Sequence, residues 1–187
     1  MQTMRVQIPP SAFFFMRTLL WLTIIGALLS ILFPRPLLHA KEEMMKLTSP
    51  EFSPNSAIPQ TFTCQGKDIN PSLKIEEMPA ETVSLVLIMD DPDAPGGTWD
   101  HWIVFNIDPA AEIEEDSVPG TQGKNSWGRN DYGGPCPPSG THRYFFKLYA
   151  LDTRLDVPEG ARKSAVEKAM QGHILAQTEI IGLYRKS

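Results

Sequence analysis

Hydrophobic and polar positions along the chain predict strands more often than helices. Residues 82–90, "TVSLVLIMD", are aliphatic and β-branched with no polar alternation, the pattern of a strand buried on both faces. "HWIVFNI" (101–107) is a second such run. "HRYFFKLYAL" (142–151) alternates, with Tyr144, Phe146, Leu148 and Ala150 on one face and Arg143, Phe145, Lys147 and Tyr149 on the other. "IPQTFTC" (58–64) and "LKIEEMP" (73–79) are shorter strand candidates. One helix is expected near 161–172, where Val166, Ala169 and Met170 fall at i, i+3 and i+4 and Gly172 suits the position after the last turn. "ILAQTEIIGLYR" (174–185) fits either period, and Gly182 with the β-branched residues favours a strand. At least six strands, not regularly interleaved with helices, predict a mainly β, β-rich α+β domain of sandwich type, mostly antiparallel.

The first 40 residues follow a different pattern. Arg17 precedes an apolar run over 18–33, "TLLWLTIIGALLSILF", and the region ends in "LHA" at Ala40. A basic start, an apolar stretch and a small residue before the cut match a secretory signal peptide. The run is short for a membrane span, which needs about 20 residues. The expectation is export, to the periplasm or outside the cell, with cleavage after Ala40. The alternative is a membrane anchor formed by residues 18–33, the one membrane contact the sequence offers.

Charge narrows the partners. The 187-residue chain has 17 Lys and Arg against 22 Asp and Glu, and three of the basic residues but no acid lie in the first 40. The remainder is therefore more acidic than the whole-chain net of −5. That argues against nucleic acid, whose phosphates need a basic face. It leaves room for a small local anion site. The two cysteines, Cys64 and Cys136, lie in no C-x-x-C, so no metal or cofactor is expected. Export would permit a disulfide between them, and their spacing leaves that open.

Three pieces carry candidate chemistry. "DDPDAP" (90–95) follows the first core strand, with Asp90, Asp91 and Asp93. His101 opens the next strand. "GGPCPPSGTHRY" (133–144) brings His142 and Tyr144 to the start of a third. If these strands are sheet neighbours, their ends share one cleft. Two imidazoles and a phenol can donate to an oxyanion, and an adjacent Asp would orient a ring and favour its charged form. The region between, 107–140, has little periodicity, and its glycine N–H groups could approach a ligand. Trp99, Trp102, Phe105 and Phe145 are expected in the core. Asp93 is expected to organise its proline-flanked turn. A hydrolase using the same groups is a weaker reading, because no G-x-S-x-G elbow is present. Zinc on Asp91, His101 and His142 is weaker still.

"DDPDAPGGTWDHW" and "YGGPCPPSGTHRYFFKLYALD" closely resemble the two signature segments of the phosphatidylethanolamine-binding proteins, also called Raf-kinase-inhibitor-like proteins. "GKDINPSL" with "YGGPCPP" resembles their bacterial and archaeal, YbhB/YbcL-type branch. The resemblance implies a single domain over 41–187: a central antiparallel sheet packed on a smaller second sheet, with peripheral helices near the C-terminus. It implies a non-enzymatic binding protein with a small anion pocket for phosphate or a phosphoethanolamine-like headgroup. By motif position the pocket acid corresponds to Asp91, the histidines to His101 and His142, the aromatic donor to Tyr144, and part of the wall to Pro137 and Pro138. A protein partner, such as a protease held by an exported inhibitor, is the alternative the family allows.

Overall fold

A computed structural model describes residues 44–186. The expected signal or anchor over 1–40, with its apolar run at 18–33, lies outside the described residues. These form two sheets. Strands β1 (Lys46–Thr48), β3 (Leu73–Glu76) and β6 (Glu112–Ile113) make the small one, in the order β1-β3-β6. Strands β2 (Ser56–Ala57), β4 (Ser84–Asp91), β5 (Trp99–Ile107), β7 (Thr121–Gln122), β8 (Thr141–Leu151) and β9 (Ile174–Arg185) make the large one, in the order β2-β9-β8-β4-β5-β7. All pairings between strands are antiparallel except β2 with β9. The mainly β, two-sheet architecture expected from the pattern is the one observed.

The large sheet is covered on both sides. Leu85, Leu87 and Met89 of β4, with Tyr144, Phe146 and Leu148 of β8, face the small sheet and pack with Leu47, Leu73 and Ile75. Val86 and Ile88 of β4, with Ile103 and Phe105 of β5, face the other way and pack on Val166 and Met170 of helix α1 (Lys163–Met170). Every residue of β4 is buried, which is why its sequence does not alternate. The helix ends as expected, with Gly172 just beyond it at a φ of 81°. Among the described residues it is the one α-helix, the one read from the periodicity, where the resemblance implied peripheral helices in the plural.

The expected strand over 58–64 is not formed. β2 stops at Ala57, and Gln60–Phe62 make a 3-10 turn. Pro59, at a φ of −57°, has no N–H to continue a ladder. The Thr63 hydroxyl and its N–H both donate to the Gln60 carbonyl, closing the turn. Ile58 and Phe62 are both buried, four residues apart, a spacing that a strand and a helical turn share, so burial alone does not separate the two.

Gly182, read from sequence as a helix-weakening residue, has a packing role. A Cβ there would lie 2.4 Å from Ile58 Cγ1 and 3.0 Å from Phe52 Cε2. The bare backbone of β9 is the floor on which these two side chains sit. Gly182→Ala should therefore destabilise the protein by about 1–3 kcal/mol through overpacking, measured as a lower urea midpoint with an unchanged slope.

Candidate functional site

Antiparallel order brings the three motif pieces together. β4 lies between β8 and β5, so its C-terminal end meets their N-terminal ends. In register, Asp91 pairs with Trp99, and Asp90 pairs with Phe145. The pleat then divides the acids. Asp91 shares a face with Met89 and Tyr144, whereas Asp90 points to the helix side, where the ammonium groups of Lys147 and Lys163 reach it at 2.8 and 3.2 Å.

His101 reaches Asp91's face only through an irregularity. Met89 pairs with Trp102 and Asp90 with Asp100, so His101 is one extra residue in β5, a β-bulge. Strict alternation from Trp102 would send His101 toward α1. The bulge instead turns its ring edge-on to Tyr144, with centroids 5.2 Å apart. Gly133 holds it there. The Gly133 carbonyl lies 2.6 Å from His101 Nδ1, and the Gly133 N–H donates back to the His101 carbonyl at 3.2 Å. A carbonyl only accepts, so Nδ1 carries the proton and Nε2 is the ring's free nitrogen. Burial pushes the His101 imidazole below its ordinary 6.5, against the upward pull of the Gly133 carbonyl and of Asp91, Asp90 and Asp100.

Both oxygens of Asp91 are engaged. Oδ1 accepts the Asp93 N–H at 2.8 Å, and Oδ2 accepts from His142 Nδ1 at 2.7 Å. His142 thus orients Asp91. Asp93 ties the turn to β8, as its expected role required. It accepts from the Arg143 N–H at 3.0 Å and from the guanidinium at 2.9 and 2.7 Å. The Arg143 hydrogen bonds hold the Asp93 carboxyl down at about 2. The Tyr144 hydroxyl is buried with no well-formed hydrogen bond. Burial, and then the neighbouring Asp91 carboxylate, raise its phenol above its usual range, so it remains a protonated donor.

The glycine-proline loop closes the site. A disulfide joins Cys64 to Cys136, with Cα atoms 5.5 Å apart, and so cross-links the segment after the 3-10 turn to the loop. The Gly134 N–H donates to Asp68 Oδ1 at 2.7 Å, and the Tyr132 hydroxyl to the Phe62 carbonyl at 2.8 Å. A Cβ at Gly134 would sit 2.5 Å from the Phe62 carbonyl oxygen, so only glycine allows this approach.

Between these pieces lies a cleft of about 430 Å³. Asp91, His101 and Pro138 line it, whereas His142, Tyr144 and Pro137 are buried and are not among the lining residues. His142 connects to the cleft through Asp91, and Tyr144 through the His101 ring. Among the described residues, no three His, Cys, Asp or Glu side chains converge as metal ligands, so zinc on Asp91, His101 and His142 finds no support.

Four aromatic or charged lining side chains were missed in the sequence. Trp99, expected in the core, is 36% exposed at the cleft, although Trp102 and Phe105 are buried as expected. Phe145 is half-buried beneath Arg143 and Lys147. Trp127 packs edge-on against both His101 and Trp99, and the Arg129 guanidinium lies over its ring at 5.7 Å. Asp68 completes the set. Asn125 supplied the one available signal. Its buried side chain accepts the N–H groups of Trp127 and Arg129 and builds the turn that presents them.

Fold and site together describe a two-sheet sandwich with a ligand-sized cleft where its central strands end. The model of the phosphatidylethanolamine-binding protein family matches residues 48–185, and the chain belongs to that family. A UPF0098 protein of Methanothermobacter thermautotrophicus is 48% identical over 150 residues, which cover 76% of this chain and 99% of the relative. Another from Aquifex aeolicus is 48% identical over 160 residues, covering 80% and 94%. The crystal structure of a phosphatidylethanolamine-binding protein homologue from Chlamydia trachomatis has 43% identity and a TM-score of 0.75, over 77% of this chain and 99% of that one. Escherichia coli YbcL, described as a member of the mammalian family, has 29% identity and a TM-score of 0.72, over 78% and 100%. Family membership supports a binding-protein function.

The lowered His101 fixes the sign of one pH effect. The unfolded chain takes up a proton near 6.5, and the folded chain takes it up only at lower pH. This group therefore subtracts stability as pH falls below 6.5 toward the folded value. His101→Gln, which cannot titrate, should lose less unfolding free energy than the parent between about pH 7 and about pH 5, measured by denaturant titration at each pH. An equal loss in both would mean that His101 is not held neutral by burial.

Proposed function

We propose that the cleft binds a small anion, a phosphate or a phosphate-bearing headgroup, and that His101 is its principal contact. The observation that carries this reading is the ring geometry: Nδ1 is committed to the Gly133 carbonyl, and Nε2 is free on a residue that lines the cleft. Protonation of Nε2 converts the ring into a cationic donor, and a bound anion favours that form. Arg129, on the same lining, adds a positive charge that Asp131, 3.3 Å from its Nε, partly offsets. Trp99 and Trp127 give the cleft more room than a bare phosphate needs, which suits an organic substituent. Neither catalysis nor kinase inhibition draws support from this geometry.

Export is the second part of the proposal. Cys64 is exposed, and its disulfide with Cys136 forms part of the cleft wall. An accessible disulfide persists in an oxidising compartment and is reduced in the cytosol. The signal-like pattern of residues 1–40 agrees with that placement.

Because ligand binding and protonation of His101 favour each other, affinity should rise as pH falls. Phosphate and phosphoethanolamine, titrated into the protein and followed through the His101 and His142 imidazole signals, should shift both rings. Sulfate, which does not titrate in this range, should show the same pH trend. His101→Ala should weaken phosphate binding by about 1.5–3 kcal/mol, the contribution of a charge-assisted hydrogen bond. Unshifted imidazoles at saturating phosphate would sink the anion reading and favour a protein partner.

A further inference from the structure

On the helix-side face of the large sheet, behind the cleft, lies a charged cluster with no part in ligand contact. Asp90 and Asp100 are direct partners in register, so two carboxylates face each other across β4 and β5, and Asp90 is buried. Like charges so placed destabilise a strand pair. Lys163, the first residue of α1, reaches both: its ammonium lies 2.5 Å from Asp100 Oδ1 and 3.2 Å from Asp90 Oδ2. Lys147 of β8 reaches Asp90 alone, at 2.8 Å. Two ammonium groups offset two carboxylates, but only Lys163 spans the strand pair.

The position of this bridge matters. Asp90 immediately precedes Asp91, and Asp100 immediately precedes His101. The Asp90–Asp100 pair is also the rung that closes the bulge. We propose that Lys163 is a positioning residue of the site: by joining Asp90 to Asp100 it holds the bulge that turns His101 into the cleft. The role rests on the anion-binding reading of the cleft, yet it acts on the empty protein as well. The charged and titratable groups around His101 are Asp90 and Asp91 on β4, Asp100 on its own strand, Tyr144 on β8, and Arg129 and Asp68 across the cleft. Removing the Lys163 charge leaves Asp100 uncompensated and Asp90 with Lys147 alone, which favours the imidazolium.

The test reads His101 titration by NMR in the ligand-free protein, together with phosphate affinity. Lys163→Met should move the His101 titration upward and yet weaken phosphate binding about tenfold, because a ring displaced with the bulge no longer aims Nε2 into the cleft. Lys163→Arg, which keeps the charge, should preserve both. Asp100→Asn should move the titration downward, opposite to the effect of mere loosening, which exposes the ring and raises it. Lys163→Met/Asp100→Asn should recover phosphate affinity toward the parent value. An unmoved titration in folded Lys163→Met overturns the proposal, as do upward shifts in both single variants. If Lys163→Met does not fold, a folded double variant supports the charge bridge, and a double variant that also fails overturns it. A parent protein that ignores phosphate refutes the anion reading alone, because the ligand-free titrations still report on Lys163.

Discussion

One extra residue in β5 decides the geometry of the site. Without the bulge between Met89 and Asp90, His101 would lie on the helix side of the sheet and Asp100 on the cleft side. With it, one imidazole exchanges places with one carboxylate. The cleft gains a titratable donor, and α1 gains an acid for Lys163. A bulge leaves a strand locally short of pairing, so the neighbouring chain must supply the missing bonds. It does so twice. Ser126 donates its N–H to the Asp100 carbonyl and accepts the Asp100 N–H on its hydroxyl, and Gly133 makes both contacts to His101.

That dependence accounts for the loop over 123–138. It has little regular structure, yet it is constrained at several points. Asn125 folds the turn that carries Trp127 and Arg129. Trp127 covers the His101 ring and leaves no space for a Cβ at Gly133. The disulfide and the Gly134–Asp68 hydrogen bond fasten the far end to the segment after the 3-10 turn. A loop so anchored positions Gly133 with the accuracy that a 2.6 Å contact to an imidazole requires.

The fold was legible where burial writes a pattern. β4 and β8 showed in their unbroken and alternating runs, and Gly172 marked the end of α1. Residues 58–64 misled, because Ile58 and Phe62 are buried by a proline-started turn that leaves the same composition as a strand. Asp91, His101 and Pro138 on the cleft lining were legible through motif and strand order. The bulge was not, since an inserted residue leaves no trace in composition. Trp99 and Trp127 were hidden for a different reason: an exposed aromatic and a core aromatic look alike until the sheet is assembled.

The acidity around the cleft is offset by pairing. Asp90 meets Lys147 and Lys163, Asp93 meets Arg143, Asp100 meets Lys163, and Asp91 receives His142 together with the Asp93 N–H. Asp68 receives the Gly134 N–H. Each carboxylate near the site is thus already engaged by a donor, and three of the cations come from β8 or α1, behind the cleft. A ligand entering the cleft meets carboxylates whose fields are largely offset, with His101 as the group still able to respond and Arg129 paired with Asp131 at 3.3 Å. The acidic turn therefore works as scaffolding: its negative charge draws Arg143, His142 and the lysines into place, and those contacts fix the strand ends from which His101 projects.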